Sequence, residues 1–144
     1  MRMRRLSAAI LASAAIAIPA APATAADYEY DVATEPIFVL DQADPKVAGS
    51  FYGWGWFRED GDWLDTYDSS ADGKSVALIW ELADGSRHGV CRNTSGDNKA
   101  RGCNKNFVEG KTIRYRFGRC DGDTSPCNRP WHYEQLTDWK SRTT

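Results

Sequence analysis

Ser75-Val76-Ala77-Leu78-Ile79-Trp80-Glu81-Leu82, followed by Ala83-Asp84-Gly85, is the stretch whose reading decides the fold. Val76, Leu78, Trp80 and Leu82 alternate with Ser75, Ala77, Ile79 and Glu81. A period of two is the pleat of a strand, whose successive side chains point to opposite faces. The Asp-Gly that ends the run favours a hairpin, because glycine has no Cβ to clash at positive φ and Asp tolerates the left-handed region. Asp60-Gly61, Asp72-Gly73 and Asp84-Gly85 stand 12 residues apart, and Asp121-Gly122 follows later. Turn signals at this spacing are the signature of a sandwich or barrel.

Other segments agree. Ile113, Tyr115 and Phe117 alternate with Thr112, Arg114 and Arg116, and Trp63, Asp65 and Tyr67 oppose Leu64, Thr66 and Asp68. Further strands are expected at 51–57, 87–91 and 131–134, and no 12-residue window has a helical period. Before them, 27–50 is acidic and carries Pro36 and Pro45. It reads as a loosely held arm in which Ile37-Phe38-Val39-Leu40 is an edge or swapped strand. With 42% apolar and 12% aromatic residues the chain is globular rather than disordered. The expected fold is all-β, a small antiparallel β-sandwich of Ig-like or Greek-key type, with 51–144 as its single domain.

The amino terminus is an address. Met1 to Arg5 carries three arginines, Leu6 to Ile18 is apolar or small, and Ala23-Thr24-Ala25 suits a signal peptidase. Residues 1–26 are therefore expected to be a signal peptide, the run being too short to span a bilayer. The mature chain is expected to be secreted and extracellular, without a membrane span, and a monomer. Four cysteines, Cys91, Cys103, Cys120 and Cys127, suit an oxidising compartment. Sequential pairing, Cys91 to Cys103 and Cys120 to Cys127, closes two short polar loops. Zinc lacks the C-x-x-C clips it uses, so no metal is expected.

Asp68 with Ala71-Asp72-Gly73-Lys74-Ser75, then Cys91-Arg92-Asn93 with Gly96 and Cys103, then Glu109-Gly110, the strand ending at Phe117, and Cys120 with Cys127 together resemble a group of small secreted β-sandwich proteins common in actinobacteria. The likeness runs from about Asp62 to Trp131. That group often places a cysteine where this chain has Tyr67. The resemblance implies the fold and export; it brings no catalytic residue and no substrate.

Charge is segregated along the chain. Residues 27–86 hold 14 acidic and 3 basic side chains, a net −11, whereas 87–144 hold 6 acidic and 12 basic, a net +6. The overall mature charge of −5 argues against a nucleic-acid partner. Acidic and basic strands are expected to be sheet neighbours. The other reading is a basic patch of Arg92, Lys99, Arg101, Lys105, Arg114, Arg116 and Arg119 for an anionic partner.

Tyr52, Trp54 and Trp56 alternate with Gly53 and Gly55, which is the pattern of a core face and also of a stripe on which sugars stack. Candidate binding residues are thus Tyr52, Trp54, Trp56, Arg114 and Arg116. No catalytic residue and no cofactor is assigned: G-x-S-x-G, H-E-x-x-H and phosphate-loop motifs are missing. Asp60 and Asp62 as calcium ligands lack the EF-hand order. The function expected is a secreted non-enzymatic binding or cell-surface (spore-associated) protein, contacting a cell-wall or other extracellular glycan, or an extracellular protein. The alternative is a small secreted hydrolase, of glycans through a carboxylate pair among Glu59, Asp60, Asp62, Asp65 and Asp68, or of phosphodiesters using His88 or His132 with Arg114 or Arg116 and Glu109 or Glu134.

Overall fold

Two five-stranded sheets pack face to face in the computed structural model, which describes residues 27–144. The predicted signal peptide, 1–26, lies outside the described residues. In chain order the strands are β1 (Asp27–Val32), β2 (Glu35–Pro36), β3 (Ala48–Ser50), β4 (Gly53–Arg58), β5 (Trp63–Asp68), β6 (Ser75–Leu82), β7 (Arg87–Asn93), β8 (Lys99–Asn104), β9 (Thr112–Cys120) and β10 (Lys140–Thr143). The first sheet runs β1-β7-β6-β9-β10 and the second β2-β8-β5-β4-β3. All neighbours are antiparallel except β1, which lies parallel to β7. The chain leaves the second sheet after β5, makes the β6–β7 hairpin in the first, and returns with β8 beside β5.

The alternation read in β6 and β9 builds the interior. Val76, Leu78, Trp80 and Leu82 join Ile113, Tyr115 and Phe117 from the first sheet, and meet Phe57 and Leu64 of the second. Each such side chain, once withdrawn from water, stabilises the fold by about 1.5–3 kcal/mol. Gly55 faces this core: a Cβ there would stand 2.6 Å from Leu78 Cδ1. Its bare backbone lets β4 approach β6. The other side of β6 is covered too. Ala77, Ile79 and Val90 pack with Cys120, Cys127 and Tyr133 in a second cluster on the sheet's outer face. Of the eight residues of β6, Glu81 alone escapes burial.

Both disulfides are as predicted. Cys91 of β7 to Cys103 of β8 joins the two sheets, and Cys120 to Cys127 closes the loop after β9. Two disulfides fit an oxidising compartment.

Several expectations are corrected. Asp60-Gly61 and Asp84-Gly85 do turn hairpins, with glycine φ of 82° and 73°. Asp72-Gly73 instead lies in the crossing from β5 to β6, which are in different sheets, and Asp121-Gly122 lies inside the second disulfide loop. Residues 27–50 are not a loose arm, since they supply β1, β2 and β3. Ile37-Phe38-Val39-Leu40 makes no ladder; β2 ends at Pro36, whose fixed ring removes a donor. The strand expected at 131–134 is a 3₁₀ turn over Pro130–His132, followed by one bridge between Glu134 and Arg119.

Candidate functional site

The alternation of β4 and β5 sends Gly53, Gly55, Phe57, Leu64 and Thr66 inward and Trp54, Trp56, Trp63 and Tyr67 out. Register pairs Trp54 with Tyr67, Trp56 with Asp65, and Arg58 with Trp63 across the outer face of the second sheet. Trp54 and Trp56 are therefore no part of the interior core. Trp56 is nonetheless only 2% exposed, because the segment following β2 lies over it. Trp54 Nε1 donates to Leu40 O at 2.9 Å, which fastens that segment down. The Trp54 ring also tilts against Tyr67, with centroids 4.6 Å apart.

Beside the covered indoles the face opens into a cleft of about 440 Å³. Trp56, Asp65, Trp63 and Arg58 of the sheet line it, together with Ile37 and Phe38 from the segment after β2. Phe38 is 96% exposed. A smaller hollow of about 330 Å³ adjoins it and shares Leu40, Trp56 and Arg58. The Asp60-Gly61 hairpin brings Arg58 and Trp63 opposite each other, and the guanidinium lies 4.9 Å from the indole centroid. Arg58 also forks onto Asp65, Nε to Oδ2 at 3.0 Å and Nη2 to Oδ1 at 3.3 Å. Burial pushes the Asp65 carboxyl above its ordinary value, while the Arg58 and Trp56 donors pull it back. Flat rings flanking a fixed guanidinium and a carboxylate can hold an alternately apolar and hydroxylated ligand.

No family model, curated protein or solved structure matches this chain.

The five candidates from the sequence do not form one site. Trp54 and Trp56 share the face just described. Tyr52 turns away at the β3–β4 corner and stacks under Arg119 of the first sheet, 3.5 Å from centroid to Cζ. Arg114 and Arg116 lie on the outer face of the first sheet, both against Trp139, at 5.5 and 4.5 Å. The wider basic patch is divided. Lys105 is buried against Glu29 and Asp31, Arg119 binds Asp72 at 2.7 Å, and Arg114 binds Glu81. Acidic and basic halves thus interleave, as sheet neighbours should.

Phe38, Arg58 and Trp63 are cleft residues the sequence reading did not single out, and Asp65 entered it only as one of several carboxylates. The signal was present, since Trp63 and Asp65 share one parity in β5 and the Asp60-Gly61 turn fixes which β4 residues face them. Asp62 serves the fold: its Oδ2 accepts from Phe107 N at 2.8 Å. Among the described residues no group of three or more His, Cys, Asp and Glu is placed to hold a metal. His132 lies on the 3₁₀ turn beside Trp131, whereas His88 faces Glu81 in register.

Proposed function

We propose that this chain is a secreted, non-enzymatic binding protein whose ligand is an extracellular glycan, taken in the cleft beside Trp56. The observation that carries this reading is the cleft's make-up: the exposed Phe38 ring and the half-buried Trp63 ring line it together with the Arg58–Asp65 pair. Sugar rings present C–H faces that stack on aromatics and hydroxyls that bond to charged groups. Asp65, Glu35, Glu59 and Asp60 outnumber Arg58 and Lys46 around the two hollows, so a neutral or amino sugar suits it better than an acidic one. The Asp65 carboxylate is held by Arg58 on both oxygens, an arrangement for positioning rather than proton transfer.

The test is retention of the purified protein on insoluble cell-wall and plant glycans. Phe38→Ala and Trp63→Ala are each expected to weaken retention about tenfold with the thermal midpoint of Phe38→Ala unchanged. Retention indifferent to both substitutions, or absent from every glycan, overturns the reading.

A second reading, the hydrolase, is favoured by one observation on the opposite face. Tyr28, His88, Glu81 and Arg114 are successive register partners on β1, β7, β6 and β9. Directly opposed residues on antiparallel strands have Cβ atoms about 4.5–5.5 Å apart. An imidazole, a carboxylate and a guanidinium therefore share a patch, as acid–base cleavage of a phosphodiester requires. Turnover of a dinucleotide that vanishes in His88→Ala would move the function to this face; no turnover by the unaltered protein removes the reading.

A further inference from the structure

Another hollow, of about 460 Å³, lies elsewhere and shares no residue with the cleft. It is formed where the β5–β6 crossing, the start of β6 and the end of β7 meet, with Gly122 above them. Two short motifs picked out in the sequence, Ala71-Asp72-Gly73-Lys74-Ser75 and Cys91-Arg92-Asn93 with Gly96, converge there. Their polar contribution is Lys74, Ser75 and Arg92, joined by Thr94 and Asp97.

Arg92 is the decisive group. Half-buried Arg92, like Arg101, Arg116 and Arg142, has no carboxylate within 4.0 Å among the described residues, and of these it alone lines this hollow. Its guanidinium is fixed all the same. Nε donates to Ser75 Oγ at 2.8 Å, and Nη1 to Tyr30 Oη at 3.4 Å and to Pro126 O at 3.5 Å. Nη2 carries no hydrogen bond among the described residues, and a Cβ at Gly122 would stand 3.1 Å from it, a tight contact that the guanidinium would have to yield to. A braced cation that lines a cavity with no carboxylate bonded to it has already met part of the ordering cost of binding an anion. Lys74 lies in the same wall, with its Nζ paired to Glu134 at 2.5 Å. The open space around Gly73 and Gly96 leaves the rim accessible. Thr94 is exposed there, and Asp97 also lines the hollow. A bare polyanion would meet Asp97 unfavourably, whereas a ligand bringing hydroxyls would donate to it.

We propose that this hollow is an anion site in which Arg92 and Lys74 receive the oxyanion of an acidic sugar, a uronate or a sugar phosphate, while Thr94 and Asp97 bond its hydroxyls. The site is independent of the glycan cleft and stands if that reading falls.

Calorimetric titration of the full protein with glucuronate, glucose 6-phosphate, inorganic phosphate and glucose tests it. At least one acidic sugar is expected to bind, more tightly than inorganic phosphate, with glucose silent and raised salt weakening the binding. Glucuronate against glucose 6-phosphate separates a carboxylate source from a phosphate one. Arg92→Gln is expected to weaken binding at least about tenfold and Arg92→Lys less. Because Arg92 also braces Ser75 and Tyr30, Thr94→Val supplies a variant outside that brace, expected to lose about threefold at an unchanged thermal midpoint. Absence of binding by both acidic sugars, equal binding of inorganic phosphate, or binding undiminished in both Arg92→Gln and Thr94→Val overturns the proposal.

Discussion

Asp65 and Asp68 lie three residues apart on β5, point to opposite faces of the second sheet, and are each 1% exposed. Their fates differ through their partners. Asp65 has the Arg58 fork. Asp68 accepts from Ser70 N at 3.0 Å through Oδ1, but its Oδ2 is buried without a hydrogen-bond partner among the described residues. Burial, with Asp72 and Asp97 adding repulsion, raises the Asp68 carboxyl to about 6. A folded-state value above the unfolded one means that the fold prefers the neutral acid. The stabilisation is fully present below the unfolded value, near 4, and is lost as pH rises through about 6. Asp68→Asn, which keeps an acceptor for Ser70 N, is expected to flatten stability between those limits and to add about 1–3 kcal/mol at neutral pH. Urea melts at stepped pH read this directly; a variant as pH-sensitive as the unaltered protein would show that another group is responsible. The alternation in β5 tells which way each carboxylate points. It does not tell what covers it, because Ser70 and Asp97 reach Asp68 through links the pattern leaves unplaced.

At the scale of elements, legibility followed locality. β6, β9, the β6–β7 hairpin and both disulfides were readable because each rests on neighbours within about a dozen positions. β1 was not. Tyr28, Tyr30 and Val32 alternate with Glu29 and Asp31 as a strand should, yet the acidic positions make the stretch look solvated. Their counter-charge comes from Lys105, 76 positions from Glu29, whose Nζ binds Glu29 at 2.6 Å and also binds Asp31. Arg87 adds a bond to Glu29 at 2.6 Å. The Lys105 side chain is 5% exposed and stands 5.1 Å from the Trp80 ring. Lys105→Met fills similar space without the charge, leaving Glu29 and Asp31 facing an apolar wall. It is expected to cost about 2 kcal/mol and to speed hydrogen exchange in β1 before the rest of the first sheet. Uniform loss of protection would mean that β1 unfolds only with the whole. The aromatic face was half legible in the same sense: parity placed Trp54 and Trp56 together. Which side became the interior was decided by Gly55 against Leu78, a contact between sheets.

For the whole molecule, the two disulfides divide the labour because the two hydrophobic clusters do. One cluster is the sandwich interior, and Cys91–Cys103 crosses it from sheet to sheet. The other sits on the outer face of the first sheet under a flap fastened by Cys120–Cys127, where Tyr133 covers Ala77, Ile79 and Val90. Tyr133 Oη donates to Cys127 O at 2.7 Å, and Glu134 exchanges backbone bonds with Arg119 at 2.8 and 3.1 Å, so the flap also rests on the sheet. Opening a 12-residue closure should lower global stability by about 3 kcal/mol in the chain-entropy model. Cys91→Ala with Cys103→Ala is thus expected to lower the midpoint of a single cooperative transition. Cys120→Ala with Cys127→Ala should instead act locally, raising exchange over the flap and exposing Ile79 and Val90, with the sandwich transition shifted less. Exchange and thermal melts on the two double variants separate the cases. Equal global shifts would mean that the flap and the sandwich form one cooperative unit, and that the outer cluster is as necessary to the fold as the interior.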